Sequence, residues 1–357
     1  MKSVLIDTKK QEEFELNGYV KFPLLDSETN NILLQYYDDL KDKINIQNSI
    51  YGIYVSLDEK DRELKLTIMD FLQKSIQPKL DSFLVNYKVH LGGFIVKEPD
   101  NFSYTYPHQD WTFVDHEDRE SFSATVWISL NDLTPEMGSL GFIKGSQHFL
   151  NGIIGSPSTH FRNSTQGHEE LLFQYLDFPK VNCGDAIMFN NKCVHGANPN
   201  QTPNSRVIIG IGITPKESSL YHYFLKPNST DTFLKLKVNE DFFMDYMNQD
   251  LINTYNDGQV PNNCIVEDEI DLEINQYSND EMIKMILEKG NIKNDFFIKR
   301  PENKAINENI VEFKKVIEIK KVSTYSKIDM SKIINFFRIY TPYNIFKEAK
   351  FRLTGKY

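Results

Sequence analysis

The chain has few cysteines, no surplus of basic charge and no long apolar run, and each shortage excludes a class of protein. Its 357 residues include three cysteines and no Cys-x-x-Cys pair, so we expect reduced thiols rather than a disulfide-rich secreted domain. The formal net charge is −10, whereas a nucleic-acid binder needs a basic surface to neutralise phosphates. No apolar run reaches the roughly 18 residues of a membrane span, and none of signal-peptide length opens the chain. We therefore expect a cytoplasmic protein with no nucleic-acid partner and no membrane span.

The N-terminal third has the periodicity of helices. Apolar residues recur at helical spacing in three segments: residues 9–17, 27–45 and 58–85. We expect Asp26 or Ser27 to cap the second helix. The third helix should be broken before Pro78. A short strand closed by proline, residues 18–23, separates the first two helices.

Short β-rich segments separated by Gly, Pro and Asn turns fill the middle of the chain. These segments are residues 87–97, 123–130, 139–143, 185–189 and 207–213. Many short strands with such turns are typical of a sandwich or barrel rather than of alternating strands and helices. The sequence therefore predicts a mainly β fold, a jelly roll over residues 85–215 with the N-terminal helices packed outside it, and a first domain over residues 1–215.

The pattern weakens after residue 215, where we predict a mostly helical C-terminal extension over residues 216–357. Two segments of this extension are helical in pattern, residues 237–256 and 278–290. Residues 299–357 carry a net charge of +8, so the rest of the chain carries −18. This basic end could fold onto the acidic body, join a second copy of the chain in a homo-oligomer, or meet an anionic membrane surface.

The candidate chemistry centres on the run Pro107-His108-Gln109-Asp110. Side chains alternate along a strand, so His108 and Asp110 point the same way and can reach one metal ion. An isolated His-x-Asp is weak evidence, because a surface pair without metal has the same pattern. His195, just after a predicted strand, is the best candidate for a third ligand. Two histidines and one carboxylate leave coordination positions open, which suits non-haem iron(II).

Arg206 lies eleven residues after His195, where the strand 207–213 begins. Its planar guanidinium matches a carboxylate in a bidentate way, which lysine cannot copy. The co-substrate 2-oxoglutarate needs such a cation for its distal carboxylate while its 2-oxo acid end chelates iron. The alternative for Arg206 is a surface salt bridge. The metal residues and Arg206 together favour an enzyme that uses iron(II), 2-oxoglutarate and molecular oxygen.

Several motifs, taken in order, resemble the phytanoyl-CoA dioxygenase family over roughly residues 10–215. They are Lys97-Glu-Pro, His-Gln-Asp at 108–110, Gly-Ser-Leu-Gly-Phe-Ile-Lys-Gly-Ser-Gln-His at 138–148, Gly-Asp at 184–185, and His195-Gly with Arg206. The resemblance implies a double-stranded β-helix, iron(II) held by the His–Asp–His set, and the distal carboxylate of 2-oxoglutarate held by Arg206. It also implies succinate and carbon dioxide as products.

Two further features follow from that resemblance. Trp127 falls where the family often has a tryptophan beside the co-substrate, although a simple core aromatic is the alternative. The family often has a serine two residues after the second histidine, and here that position is Ala197. Asn198 or Thr125 could supply the missing polar group.

The sequence thus predicts a dioxygenase that hydroxylates an unactivated C–H bond of a small or carrier-linked metabolite. Related halogenases lack the carboxylate at the position of Asp110, so its presence favours hydroxylation, with desaturation or ring formation as variants. Two alternatives remain open, a zinc-dependent hydrolase that uses the same three ligands and a non-catalytic jelly-roll binding protein. Three aromatic residues flank the predicted metal ligands: Tyr104, Tyr106 and Trp111. They could line a substrate channel, and the alternative is that they are half-buried strand residues.

Overall fold

The computed structural model describes residues 1–41, 43–44, 53–99, 103–158 and 160–295. They belong to one compact unit, Met1–Ile298. A second unit, Lys299–Tyr357, contains the basic end and lies outside the described residues, as do the roles predicted for it. Within the described ranges, no helix combines the length and apolar character that crossing a membrane requires.

Three antiparallel sheets form the framework of these described ranges. Their strands are β1 (Tyr19–Pro23), β2 (Ile53–Val55), β3 (Tyr87–Lys97), β4 (Thr105–His108), β5 (Ala124–Ser129), β6 (Leu140–Phe142), β7 (Asp185–Asn190), β8 (His195–Ala197), β9 (Arg206–Pro215), β10 (Leu220–Leu225), β11 (Thr232–Val238) and β12 (Ile265–Asp271). The large sheet has the order β1-β7-β5-β9-β3-β2, the small sheet β4-β8-β6, and the third sheet β10-β11-β12.

The large and small sheets share an apolar core, which confirms the predicted jelly roll. The large sheet contributes Trp127, Ile187 and Ile208 to this core, and the small sheet contributes Phe142 and Ala197. Adjacent positions of the strands face the opposite side, because side chains alternate along each strand. The large sheet is consequently buried on both faces, and its central strands read as nearly continuous apolar runs.

Helices cover the outer face of the large sheet, as predicted. The α-helices among the described residues are α1 (Thr8–Asn17), α2 (Ser27–Leu40), α3 (Arg62–Leu80), α4 (Ser146–Phe149), α5 (Glu169–Phe173), α6 (Glu240–Asp245), α7 (Asn248–Asn256) and α8 (Asn279–Glu288). The predicted cap of α2 is confirmed, since the Asp26 carboxylate accepts a hydrogen bond from the Thr29 amide at 2.7 Å. Leu33 of α2 and Leu72 of α3 pack against Phe94 and Ile209 of the sheet.

The predicted break before Pro78 is wrong, because α3 continues through this proline to Leu80. A proline removes one N–H and crowds the carbonyl four residues earlier, which usually ends a helix. Pro78 lies in the last turn, so only the end of the helix has to adapt. Helical hydrogen bonding resumes at once, with the Asp81 amide donating to the Gln77 carbonyl at 2.9 Å.

The segment after residue 215 contains more strand than the sequence predicted. Its helices α6, α7 and α8 occupy the two predicted helical segments, but the third sheet was missed. Every residue of β10 is buried, and nearly every residue of β12 is exposed, so neither strand shows the alternation that identifies a half-buried strand. Residues 216–295 belong to the same compact unit as the jelly roll. The functional boundary at residue 215 stays a prediction.

Candidate functional site

The strand pairing of the small sheet brings together the three predicted metal ligands. His108 is the last residue of β4 and lies directly opposite His195, the first residue of β8. Asp110 follows His108 by two residues. One ligand atom from each of the three side chains lies within 4.8 Å of the other two. We call His108, Asp110 and His195 the metal cluster.

The spacing within the metal cluster fits a single ion. The Asp110 Oδ1 atom lies 3.6 Å from the His108 Nε2 atom and 3.7 Å from the His195 Nε2 atom. Ligand atoms that each lie about 2 Å from one ion are roughly 3–4 Å apart. The His195 side chain is 6% exposed, whereas His108 and Asp110 are 40% and 29% exposed, so the cluster opens toward solvent on one side. A substrate can approach the metal from that side.

Backbone carbonyls orient the imidazoles of His108 and His195 for metal binding. The Nδ1 atom of His108 lies 2.7 Å from the Tyr106 carbonyl oxygen, and that of His195 lies 2.9 Å from the Cys193 carbonyl oxygen. A carbonyl oxygen only accepts, so each Nδ1 carries the proton and each Nε2 keeps its lone pair for a metal. The sequence does not reveal these partners, because each carbonyl lies only two residues away in the chain and any residue type could supply it.

The charge states in the cluster suit a divalent cation. Burial lowers the pKa of His195 to about 4, so this imidazole is neutral near pH 7. Burial opposes ionisation of Asp110, but His195 and His108 hold the net pKa of the carboxyl below its usual value. Burial also opposes protonation of His108, but the carboxylate of Asp110 outweighs it and raises the pKa of the imidazole. The cluster therefore contains one negative charge and ring nitrogens that bind metals.

Asn191 holds the carboxylate of the metal cluster in place and was missed by the sequence reasoning. Its carbonyl oxygen accepts a hydrogen bond from the Asp110 amide at 2.9 Å. Its side-chain amide lies 3.4 Å from the Asp110 Oδ2 atom and 3.5 Å from the Thr125 hydroxyl. Asn191 thus occupies the outer oxygen of the carboxylate while Oδ1 faces the two histidines. Its position four residues before His195 was the only available signal.

Gly196 allows β4 and β8 to approach closely beside the metal cluster. A Cβ atom at this position would lie 2.9 Å from the Thr105 carbonyl oxygen and 3.1 Å from the Pro107 nitrogen. Such contacts are too short for a methyl group, so a larger residue would push the two strands apart. The close approach of the two strands therefore requires glycine directly after His195.

Arg206 begins β9 on the face of the large sheet that points toward the small sheet. It is 3% exposed, it donates to the Gly138 carbonyl oxygen, and its guanidinium lies 5.5 Å from the centre of the Trp127 ring. Its Nε atom is buried and has no hydrogen-bond acceptor, and no carboxylate pairs with this side chain among the described residues. Burial lowers the pKa of Arg206 to about 9. A buried cation of this kind calls for an anionic ligand.

The other predicted co-substrate residues lie around this region. Trp127 is 4% exposed and lies beside the Arg206 guanidinium. Thr125 lies on the side of the metal cluster, through its contact with Asn191. The Asn198 carbonyl oxygen accepts a hydrogen bond from Lys97, and Ala197 pairs with Thr105. The roles of Trp127, Thr125 and Asn198 in co-substrate binding stay predictions.

Solved structures share the fold at low identity. The epimerase SnoN, in complex with Fe3+, alpha-ketoglutarate and nogalamycin RO, is 16% identical, covers 60% of this chain and 85% of its own, and has a TM-score of 0.45. HygX from Streptomyces hygroscopicus, with nickel, 2-oxoglutarate and hygromycin B bound, is 15% identical, covers 59% of this chain and 88% of its own, and has a TM-score of 0.42. At such values the likeness carries no inference about chemistry.

A comparison with curated proteins found no match. The family model described as phytanoyl-CoA dioxygenase matches residues 25–208, which is just over half of the chain and includes the metal cluster and Arg206. This match agrees with the metal cluster and with the buried arginine described above. The chain therefore belongs to the phytanoyl-CoA dioxygenase family, a family of iron- and 2-oxoglutarate-dependent enzymes.

Proposed function

We propose that this protein is an iron(II)- and 2-oxoglutarate-dependent dioxygenase that hydroxylates an unactivated C–H bond of a small or carrier-linked metabolite. The reaction would consume 2-oxoglutarate and dioxygen and release succinate and carbon dioxide, with one oxygen atom entering succinate and the other the substrate. The observation that carries the proposal is the metal cluster itself, three ligand atoms within 4.8 Å of one another.

The chain's own residues would divide the work between them. His108, Asp110 and His195 would hold the metal, with their lone pairs oriented by the contacts to Tyr106 and Cys193. Bound iron(II) and 2-oxoglutarate supply the activation of dioxygen.

At the buried side of the site, Arg206 would bind the distal carboxylate of 2-oxoglutarate through its planar guanidinium. Trp127 restricts the guanidinium on one face, so that its donors keep a fixed direction. Fixing the co-substrate in this way would determine where the oxidant forms relative to the substrate.

The exposed side of the metal cluster is where the substrate would bind. Tyr106 is half-buried and lies two residues before His108 on β4, and its carbonyl oxygen contacts the His108 imidazole. Its ring packs at 6.0 Å from the Phe173 ring of α5, which forms an aromatic wall next to the cluster. Trp111 instead packs against His222 of β10 at 4.9 Å. We propose Tyr106 as channel lining and assign Trp111 to the core around the third sheet.

Asp110 favours hydroxylation over halogenation, because a carboxylate at this position leaves no ligand site for a halide. The choice between hydroxylation, desaturation and ring formation depends on the substrate. Mass spectrometry of the product would separate hydroxylation from the other two outcomes. Hydroxylation adds one oxygen atom, whereas desaturation and ring formation each remove two hydrogens.

The test is an anaerobic titration of the purified protein with iron(II) and then 2-oxoglutarate, followed by visible absorption. We expect a weak charge-transfer band that is absent in Asp110→Ala and weaker in Arg206→Ala. The matched control is Glu117→Ala, whose side chain is 75% exposed on the loop after the metal cluster and should leave the band unchanged. Tight zinc binding with no effect of 2-oxoglutarate would overturn the proposal in favour of a hydrolase, and no metal binding would favour a binding protein.

A further inference from the structure

Two buried cations stand side by side at the inner side of the large sheet. Lys97 ends β3 and lies directly opposite Arg206, the first residue of β9. Side chains of directly opposed residues project from the same face, with Cβ atoms about 5 Å apart. Lys97 is 0% exposed and Arg206 is 3% exposed. We call these two residues the cation pair. Like charges so placed repel each other, and the repulsion is strong where water is excluded.

Several contacts of the cation pair are to neutral groups. The Lys97 ammonium donates to the Asn198 carbonyl oxygen at 2.8 Å and to the Thr105 hydroxyl at 3.2 Å. Arg206 donates to the Gly138 carbonyl oxygen and lies beside the Trp127 ring. These neutral partners orient the two side chains. The unpartnered Nε atom of Arg206 shows that one buried donor still needs an acceptor.

Gly138 marks the place where the two cations meet. Its carbonyl oxygen accepts from Arg206, and a Cβ atom built on it would lie 3.0 Å from the Lys97 Cδ atom and 2.7 Å from the Asn198 carbonyl oxygen. Its φ of +77° is also a conformation that favours glycine. A side chain here would therefore displace Lys97 from its position next to Arg206.

Ala197, on strand β8 of the small sheet, has no polar side chain to offer near Lys97. Ala197 of β8 pairs with Thr105, whose hydroxyl contacts Lys97, and Ala197 immediately precedes Asn198, whose carbonyl also contacts Lys97. The Lys97 ammonium thus contacts the residue paired with Ala197 and the residue that follows Ala197 in the chain. Lys97 therefore brings a positively charged donor to the part of the wall where Ala197 offers none.

We propose that Lys97 acts with Arg206 on the distal carboxylate of 2-oxoglutarate and determines the preference for a dicarboxylic over a monocarboxylic 2-oxo acid. This inference rests on the proposed function. A second cation would strengthen binding of the distal carboxylate and would do nothing for a 2-oxo acid that ends in a methyl group. Lys97 is accordingly assigned as a specificity-determining residue at the buried side of the site.

The experiment compares 2-oxoglutarate with 2-oxopentanoate, which has the same chain length and no distal carboxylate. Dissociation constants are measured by calorimetry on the iron(II)-loaded protein without oxygen. We expect Lys97→Met to weaken 2-oxoglutarate binding about tenfold or more, the usual size of a charge-assisted hydrogen bond, and to change 2-oxopentanoate binding less than about twofold. Lys97→Gln keeps a donor for the Asn198 carbonyl but no charge, so it should give the same result if the Met variant does not fold.

Lys88→Met, on the same strand, is the matched control and should change neither constant. Equal weakening of both ligands in the Lys97 variants, or no weakening of either, would overturn the inference and leave the proposed function intact. If the wild-type protein bound neither ligand, the proposed function would fail and the inference with it.

Discussion

The metal cluster and the cation pair differ in exposure, in charge and in how the chain builds them. The metal cluster belongs to β4, β8 and the turn after β4, contains one carboxylate, and opens to solvent through His108 and Asp110. The cation pair belongs to the large sheet, contains two positive charges, and is closed to solvent. The open end provides metal ligands and a path from solvent. The buried end provides positive charge and, at the Arg206 Nε atom, a donor without an acceptor. A small dicarboxylate that chelates the metal and ends at the cation pair would match both.

The largest expected effect comes from a change in the cation pair that leaves the metal cluster intact. Arg206→Lys keeps the charge but loses the planar fork, so we expect 2-oxoglutarate affinity to fall about 10- to 100-fold, the range of charge-assisted hydrogen bonds. Iron(II) affinity in the absence of 2-oxoglutarate should change less than about twofold. Calorimetric titration of each ligand in turn measures both. Equal losses for metal and co-substrate would mean that the two ends are not independent.

A smaller effect should come from the open end. Asn191→Ala removes the amide that lies beside the outer oxygen of Asp110, at a contact distance of 3.4 Å. Loss of a group that orients a metal ligand typically lowers metal affinity about 10- to 100-fold. Because this contact is long, we expect a loss of iron(II) affinity near the lower limit, about tenfold. At saturating iron(II), 2-oxoglutarate affinity should stay within about twofold of wild type. The exposed Asn253→Ala on α7 serves as the control, and unchanged metal affinity in Asn191→Ala would contradict the role of the contact.

The smallest effect at neutral pH comes from histidines outside both ends. His90 and His222 are 1% and 0% exposed among aromatic rings, and burial lowers the pKa of each to about 3. The folded state keeps them neutral while the unfolded state protonates near pH 6.5, so the unfolded state binds more protons between pH 6.5 and 3. The free energy of unfolding therefore has its full value above pH 6.5. As the pH falls from 6.5 toward 3, each of the two histidines lowers this free energy by about 1.4 kcal/mol per pH unit.

Chemical denaturation of the metal-free protein between pH 7 and 5 measures this dependence. His90→Leu should reduce the slope of the unfolding free energy with pH by about 1.4 kcal/mol per unit. The control His148→Leu, at an exposed position of α4, should leave the slope unchanged. A slope that is the same in His90→Leu and wild type would show that His90 is protonated in the folded state or is not buried in solution.

Several parts of the fold could be predicted because their signals are local. The β-rich runs between turns identified the strands β3, β5, β6, β7 and β9. The cap at Asp26 could be predicted because its carboxylate bonds an amide three residues away. The helix break at Pro78 was wrong because the rule for proline assumes a helix interior, and the end of α3 could not be located from sequence. The third sheet was missed because β10 is wholly buried and β12 almost wholly exposed.

The same division applies to the candidate site. From the spacing of His108 and Asp110, two residues apart at a strand end, the sequence by itself predicted that they could bind one ion. It also predicted His195 as a third ligand and Arg206 as the cation for a carboxylate, whereas the burial of Arg206 is visible only in the structure. Only the tertiary structure decided which carbonyls orient the imidazoles, that Asn191 holds the carboxylate, and that Lys97 stands opposite Arg206. The pairing of Lys97 with Arg206 depends on strand register, and a shift of one residue would reverse the face of every side chain in the strand.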